Sequence, residues 1–113
     1  MGDDNLGLLR GTLDLLILKA LATGEKHGYA VSEWIEAATD GSLLVEEGTL
    51  YPALHRLARK RLIGATWGVS ENNRRAKYYT LTAAGQKQLE EETTTWRRYS
   101  DAVEKALAEG GAG

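Results

Sequence analysis

The chain has 113 residues, 42% of them apolar and none of them cysteine. That sets the scale at one domain with a modest core, and it excludes disulfides and thiolate metal sites. The formal charge of −2 argues by itself against a polyanionic partner, but its distribution argues the reverse. From Leu54 to Thr80 seven basic residues stand against the single acid Glu71, a local +6, and the remaining seven basic and fifteen acidic residues leave −8 elsewhere. A basic patch on an acidic body gives an orienting field for nucleic acid.

Residues 1–10 read as a loose N-terminal arm whose Leu6, Leu8 and Leu9 are available to a partner. Its acidic start has no basic region ahead of an apolar run, so no secretory signal is expected. The densest apolar stretch, Leu13 to Ala22, contains Asp14 and Lys19 and is too short for a membrane span. A soluble cytoplasmic protein with no membrane partner is the expectation.

The first predicted helix runs from Thr12 to Ala22. Leu13, Leu16, Ile17, Ala20 and Leu21 form its inner face, yet Leu15 and Leu18 are apolar too. A helix apolar nearly all round is buried on several sides, and in a chain this small one of those sides is open to a second subunit. Thr23-Gly24 ends it. A second helix spans His27 to about Ala38, with Tyr29, Val31, Trp34, Ile35 and Ala38 as its apolar residues and Gly28 allowing close packing at its start. Thr39 to Ser42 is a turn, and Leu43-Leu44-Val45 is a short apolar connection or one edge strand.

The third helix is expected to start near Gly48-Thr49, with Thr49 as its N-cap and Pro52 tolerated in the first turn. Leu50, Leu54 and Leu57 fall at i, i+4 and i+7, one inward stripe. At roughly 100° per residue, His55, Arg56 and Arg59 face away from it and Tyr51 lies on the flank. Arg61 shares the angular position of the stripe and is expected to snorkel or pair with an acid. Leu62-Ile63-Gly64 leads into two β-rich runs, Ala65 to Val69 and Lys77 to Leu81, around the polar loop Ser70 to Ala76. A last helix runs from Thr82, its N-cap, to Ala108. Leu89, Trp96 and Val103 lie seven apart on it, with Tyr99 nearby. It is longer than a core of this size covers, so its stripe calls for a partner, most simply a second copy.

The fold class that follows is mostly α with a small β-hairpin. A winged helix-turn-helix DNA-binding domain over residues 11–81 precedes a long C-terminal dimerisation helix over 82–108 and a flexible tail over 109–113. Tyr51, His55, Arg56 and Arg59 would face a groove, where arginine binds guanine bidentately. Gly48 and Thr49 would offer helix N-terminal amides to a phosphate. Asn72, Asn73, Arg74, Arg75 and Lys77 would place cations on the hairpin, where a wing reaches a minor groove or a phosphate strand. Tyr51 also reads as a half-buried ring packed on the core. The two histidines, His27 and His55, sit in no catalytic constellation. No phosphate loop or paired-carboxylate motif is visible, so neither an enzyme nor a metal or cofactor site is expected.

Several motifs, in this order, resemble the PadR family of transcriptional regulators: Leu9-Arg-Gly-Thr-Leu-Asp-Leu-Leu-Ile-Leu18, His27-Gly-Tyr29, Gly48-Thr-Leu-Tyr-Pro-Ala-Leu54 and Leu81-Thr-Ala-Ala-Gly85. The resemblance covers nearly the whole chain and looks like the short branch with a single C-terminal helix. Ala83 stands where the family often has proline. The resemblance implies a dimeric repressor on a double-stranded, inverted-repeat operator. It also implies a homodimer interface made by the first and last helices, here Leu13, Leu16, Leu89, Trp96, Tyr99 and Val103. Some members bind planar aromatic or drug-like compounds between subunits, which makes Trp96 the candidate effector residue. Its heptad spacing alone favours interface packing, and the resemblance brings the two readings level. Two other readings stay open: a winged helix that docks an acidic protein, and a ligand-binding dimer without an operator.

Overall fold

The computed structural model describes residues 11–109. The arm with Leu6, Leu8 and Leu9, and the tail beyond residue 109, lie outside the described residues. Four helices and a three-stranded antiparallel sheet follow in the order α1 (Thr12–Ala22), β1 (Lys26–His27), α2 (Gly28–Ala38), α3 (Glu47–Arg59), β2 (Ile63–Val69), β3 (Arg75–Leu81) and α4 (Ala83–Ala108). The strand order is β1-β3-β2. No helix among the described residues is long and apolar enough to cross a membrane.

The first helix, α1, is the hub, packed against α2, α3, α4 and β3. It buries Leu13, Ile17, Leu18, Ala20 and Leu21. This corrects the expected inner face: Leu18 is fully buried and Leu16 only partly, because the helix has neighbours on several sides. Around it close Val31 and Ile35 of α2, Leu50, Ala53, Leu54 and Leu57 of α3, Ile63, Tyr79 and Leu89. Each fully buried Leu, Ile or Val contributes roughly 1.5–3 kcal/mol. The C-terminal end of α1 is capped by Lys26, whose Nζ donates to the carbonyls of Ala20 (3.0 Å) and Gly24 (3.2 Å) and to Thr23 Oγ1 (2.6 Å). A cation there offsets the negative end of the helix dipole, and burial lowers the Lys26 pKa from the ordinary lysine value.

Two turns of chain give sharper endings than the sequence suggests. After α2, the Asp40 and Gly41 amides return to the Ala37 and Glu36 carbonyls at 3.2 and 2.8 Å, with Asp40 left-handed. After α3, the Arg61 and Leu62 amides return to Ala58 and Leu57 at 2.9 and 3.0 Å, with Arg61 at φ 63°. Both are Schellman closures. Arg61 therefore lies past the helix end and exposed, not on the angular line of the core stripe. The start of α3 also differs. The Thr49 and Leu50 amides donate to the Glu46 carbonyl at 3.0 and 2.9 Å, so Glu46 is the N-cap and Thr49 sits inside the first turn. Pro52 is consequently inside the helix. It removes the donor that would meet the Gly48 carbonyl, and Gly48 is exposed, so solvent reaches that group.

The hairpin is longer than expected on both strands. Pairing runs from Ile63↔Leu81 to Val69↔Arg75, so Arg75 and Ala76 belong to a strand and only Ser70–Arg74 remain as the loop. The third strand is Lys26–His27, paired with Tyr79 and Tyr78, and not Leu43-Leu44-Val45. Leu43 and Val45 instead pack against the core, and the Leu43 amide bonds Thr39 Oγ1 at 3.1 Å.

The joint between hairpin and α4 explains the Leu81-Thr-Ala-Ala-Gly85 motif. Thr82 Oγ1 accepts from the Gly85 amide at 3.0 Å and lies 2.8 and 2.9 Å from the Arg61 and Leu62 carbonyls, to either of which it can donate. A Cβ at position 85 would overlap the Leu62 carbonyl oxygen, so only glycine lets α4 start this close to the strand. Beyond Leu89, no residue of α4 is buried.

Candidate nucleic-acid interface

The inward stripe of α3 leaves Tyr51, His55 and Arg59 exposed on the opposite face. Tyr51 is seated by α2. A Cβ at Gly28 would come 2.6 Å from the Tyr51 hydroxyl oxygen and 2.8 Å from its ring, so the missing side chain is the space the ring occupies. The neighbouring His27 precedes the helix and caps it, its Nδ1 accepting from the Ala30 amide at 3.2 Å. Its ring meets Tyr78 edge-on at 5.5 Å. Thus His27-Gly-Tyr29 closes the start of α2, seats Tyr51 and leaves Tyr29 exposed. Tyr51 is both packed and 36% exposed, so its two sequence readings describe one residue.

Arg56 departs from expectation. Its Nη2 donates to Asp14 Oδ1 of α1 at 2.6 Å. The pair is partly solvent-exposed, so it contributes at most about 1 kcal/mol to stability, but it turns the guanidinium away from the outward face and toward α1. Thr49 is similarly engaged, its amide bonded to Glu46. Of the two N-terminal amides expected to meet a phosphate, Gly48 alone retains the geometry of an unpaired helix-start donor.

The hairpin tip turns on Asn73, left-handed at φ 60°. Its amide donates to the Ser70 carbonyl at 2.9 Å, and the Ser70 amide donates to the Arg74 carbonyl at 2.8 Å. Asn72, Asn73 and Arg74 are exposed. Behind them stands a residue absent from the expected site. Trp67 is 59% exposed. The Arg75 guanidinium carbon lies 4.4 Å from a Trp67 ring centroid and Lys77 Nζ lies 5.7 Å from it. The signal was the register: with the hairpin drawn, Trp67 falls opposite Lys77.

Between α3 and the hairpin lies an open groove of about 600 Å³, lined among others by Tyr29, Tyr51, His55, Trp67, Arg74 and Lys77. Aromatic faces with cations around them suit a nucleic-acid strand. Beneath the groove, Tyr79 has its phenol pKa raised by burial and, secondarily, by Tyr51, so that hydroxyl stays neutral.

The other candidate residues lie along α1 and α4. Trp96, Tyr99, Val103 and Leu107 are exposed along α4, and the Trp96 and Tyr99 rings are 6.2 Å apart and tilted by 37°. Open clefts of about 620 and 670 Å³ border Trp96. Asp14, Leu15 and Glu92 line the first, and Leu16, Lys19 and Arg97 line the second. Leu13 and Leu89, expected at a dimer interface, are instead buried in the chain's own core, because α1 and the start of α4 pack on each other.

Residues 17–91 match the family model described as the Transcriptional regulator PadR-like family. The chain is 31% identical over 97 residues to the Uncharacterized protein X of Lysinibacillus sphaericus, covering 86% of this chain and 89% of that one. It is 35% identical over 81 residues to the Transcriptional regulator YqjI of Escherichia coli, covering 72% of this chain but 37% of that longer protein. Among solved structures it is similar to a transcriptional regulator from Clostridium thermocellum, with a TM-score of 0.77, 32% identity and 85% and 93% of the two chains covered. It is also similar to a PadR-like transcriptional regulator from Bacillus cereus, with a TM-score of 0.74, 33% identity and 88% and 94% covered. With its winged-helix fold, its cationic groove and this match over most of its length, the chain belongs to the PadR-like family of DNA-binding transcriptional regulators.

Proposed function

We propose that the protein acts as a homodimeric repressor on an inverted-repeat operator and that a planar aromatic effector seated beside Trp96 releases it. The observation that carries this reading is the unburied half of α4. Trp96, Tyr99, Val103 and Leu107 follow one another at i, i+3, i+7 and i+11, all exposed. A helix end with an apolar stripe and no core beneath it is covered most simply by its twofold copy. Leu15 and Leu16 of α1, partly buried at the edge of the core, extend the same surface. In such a dimer, two α3 helices read half-sites in successive major grooves, roughly 10 bp or a multiple of that apart. His55 and Arg59 serve as the base-facing pair, and Arg74, Arg75 and Lys77 hold phosphates. The clefts on either side of Trp96 give a flat ligand room to stack. A ligand there changes how the two α4 helices stand, and with it the spacing of the α3 pair that DNA requires.

Light-scattering mass at micromolar concentration tests the dimer: twice the 12.3 kDa chain mass is expected, and 12.3 kDa would remove it. Calorimetry with flat aromatic dyes then compares the parent with Trp96→Ala. Lost binding in the variant supports the effector site, and equal affinity places the ligand elsewhere. If the dimer holds but no duplex is selected from a random pool, the protein-docking reading takes its place.

A further inference from the structure

The groove holds one residue whose exposure its fold does not require. Opposed residues of an antiparallel pair share a face, so Ile63, Ala65, Trp67 and Val69 lie on the same side as Leu81, Tyr79, Lys77 and Arg75. At the base of the hairpin this is the core side, where Ile63 and Tyr79 are buried. Further out the core ends, and the same face continues over the groove beside α3. There Trp67 is 59% exposed, with Arg75 at 4.4 Å and Lys77 at 5.7 Å from its ring. Both cations lie within cation–π range of the same ring. Indole is the strongest of the aromatic rings for attracting a cation to its face.

We propose that Trp67 is a positioning residue for DNA binding: its indole face preorders Arg75 and Lys77 on the groove side of the wing, so that a phosphate strand lying between wing and α3 meets two cations already in place. Side chains that are ordered before contact lose less entropy on binding. The inference rests on the DNA-binding reading of this surface, and it concerns the cations only. Trp67 contributes through Arg75 and Lys77, not through a contact of its own.

The test uses the full chain and a fluorescein-labelled duplex that the parent protein selects from a random pool, with anisotropy titrations at about 50 and 200 mM salt. Trp67→Ala is expected to weaken binding on the order of fivefold. It should leave the salt dependence unchanged, because both cations remain. Trp67→Phe, which keeps an aromatic face, recovers most of the loss. Arg75→Ala instead flattens the salt dependence by about one counterion. The deciding measurement is Trp67→Ala in the Arg75→Ala, Lys77→Ala background, where no further loss is expected. A wing merely distorted by the substitution, or a tryptophan touching DNA itself, would lower affinity there too, and either result overturns the proposal. Parent-like affinity in Trp67→Ala alone overturns it as well. If the parent selects no duplex, the DNA reading of this surface falls first and this role with it.

Discussion

Two tryptophans stand on the surface, and their neighbours give them opposite meanings. Trp67, on the wing, lies under Arg75 and Lys77. Trp96, on the far part of α4, shares its stripe with Tyr99, Val103 and Leu107 and has no cation over its ring among the described residues. The first belongs to a surface that a polyanion matches, the second to one that an apolar partner matches. An exposed aromatic ring by itself identifies neither. The side chains at cross-strand and i+3, i+7 spacing do.

The contrast can be broken most strongly at α4. Val103→Asp puts a charge in the middle of the apolar stripe, and the proposed dimer should dissociate about 100-fold more readily, on the order of 3 kcal/mol. Sedimentation across a dilution series reads this directly, and an unchanged mass would leave the stripe without a partner role. Next comes the joint that ties the two regions together. Gly85→Ala forces α4 off the Leu62 carbonyl and should cost about 2–3 kcal/mol of stability, read as a lowered urea midpoint. A midpoint close to that of the parent would mean that the joint yields. On the DNA side, Arg59→Ala should cost about 1–2 kcal/mol of binding and relax base preference at one position of each half-site. Smallest is Arg56→Ala, below about 1 kcal/mol, because Asp14 already engages that guanidinium. A loss as large as that for Arg59 would show that Arg56 leaves Asp14 when DNA arrives.

Periodic features were legible from sequence. The inward stripe Leu50, Leu54, Leu57 announces α3 and its outward face, and the bounds of α1 and of α4 after Thr82 follow from their caps and apolar spacing. Features set by a partner distant in sequence were not. Nothing near Arg56 announces Asp14, 42 residues away, and a two-residue strand at Lys26–His27 has no period to read. Its strand character comes from lying beside Tyr78 and Tyr79. The start of α3 is hidden from the sequence for a related reason. Thr49 is a better cap residue than Glu46 by type, but the chain enters the helix from Val45, which is packed against the core. Trp67 reads from sequence as an apolar strand residue, and only the register places cations on it.

The Leu62 carbonyl has a mechanical consequence. It takes the Thr82 amide at 3.2 Å, lies 2.9 Å from the Thr82 hydroxyl, and sits where a side chain at residue 85 would be. There is no slack at this junction and therefore no pivot. The shaft anchored there is 26 residues long, about 39 Å at the rise of an α-helix. A tilt of about 5° at its root sweeps its tip through roughly 3 Å over that length. Read backwards, a displacement of a few ångströms at the tip would correspond to a rotation of only about 5° at the junction with the strand that carries Trp67.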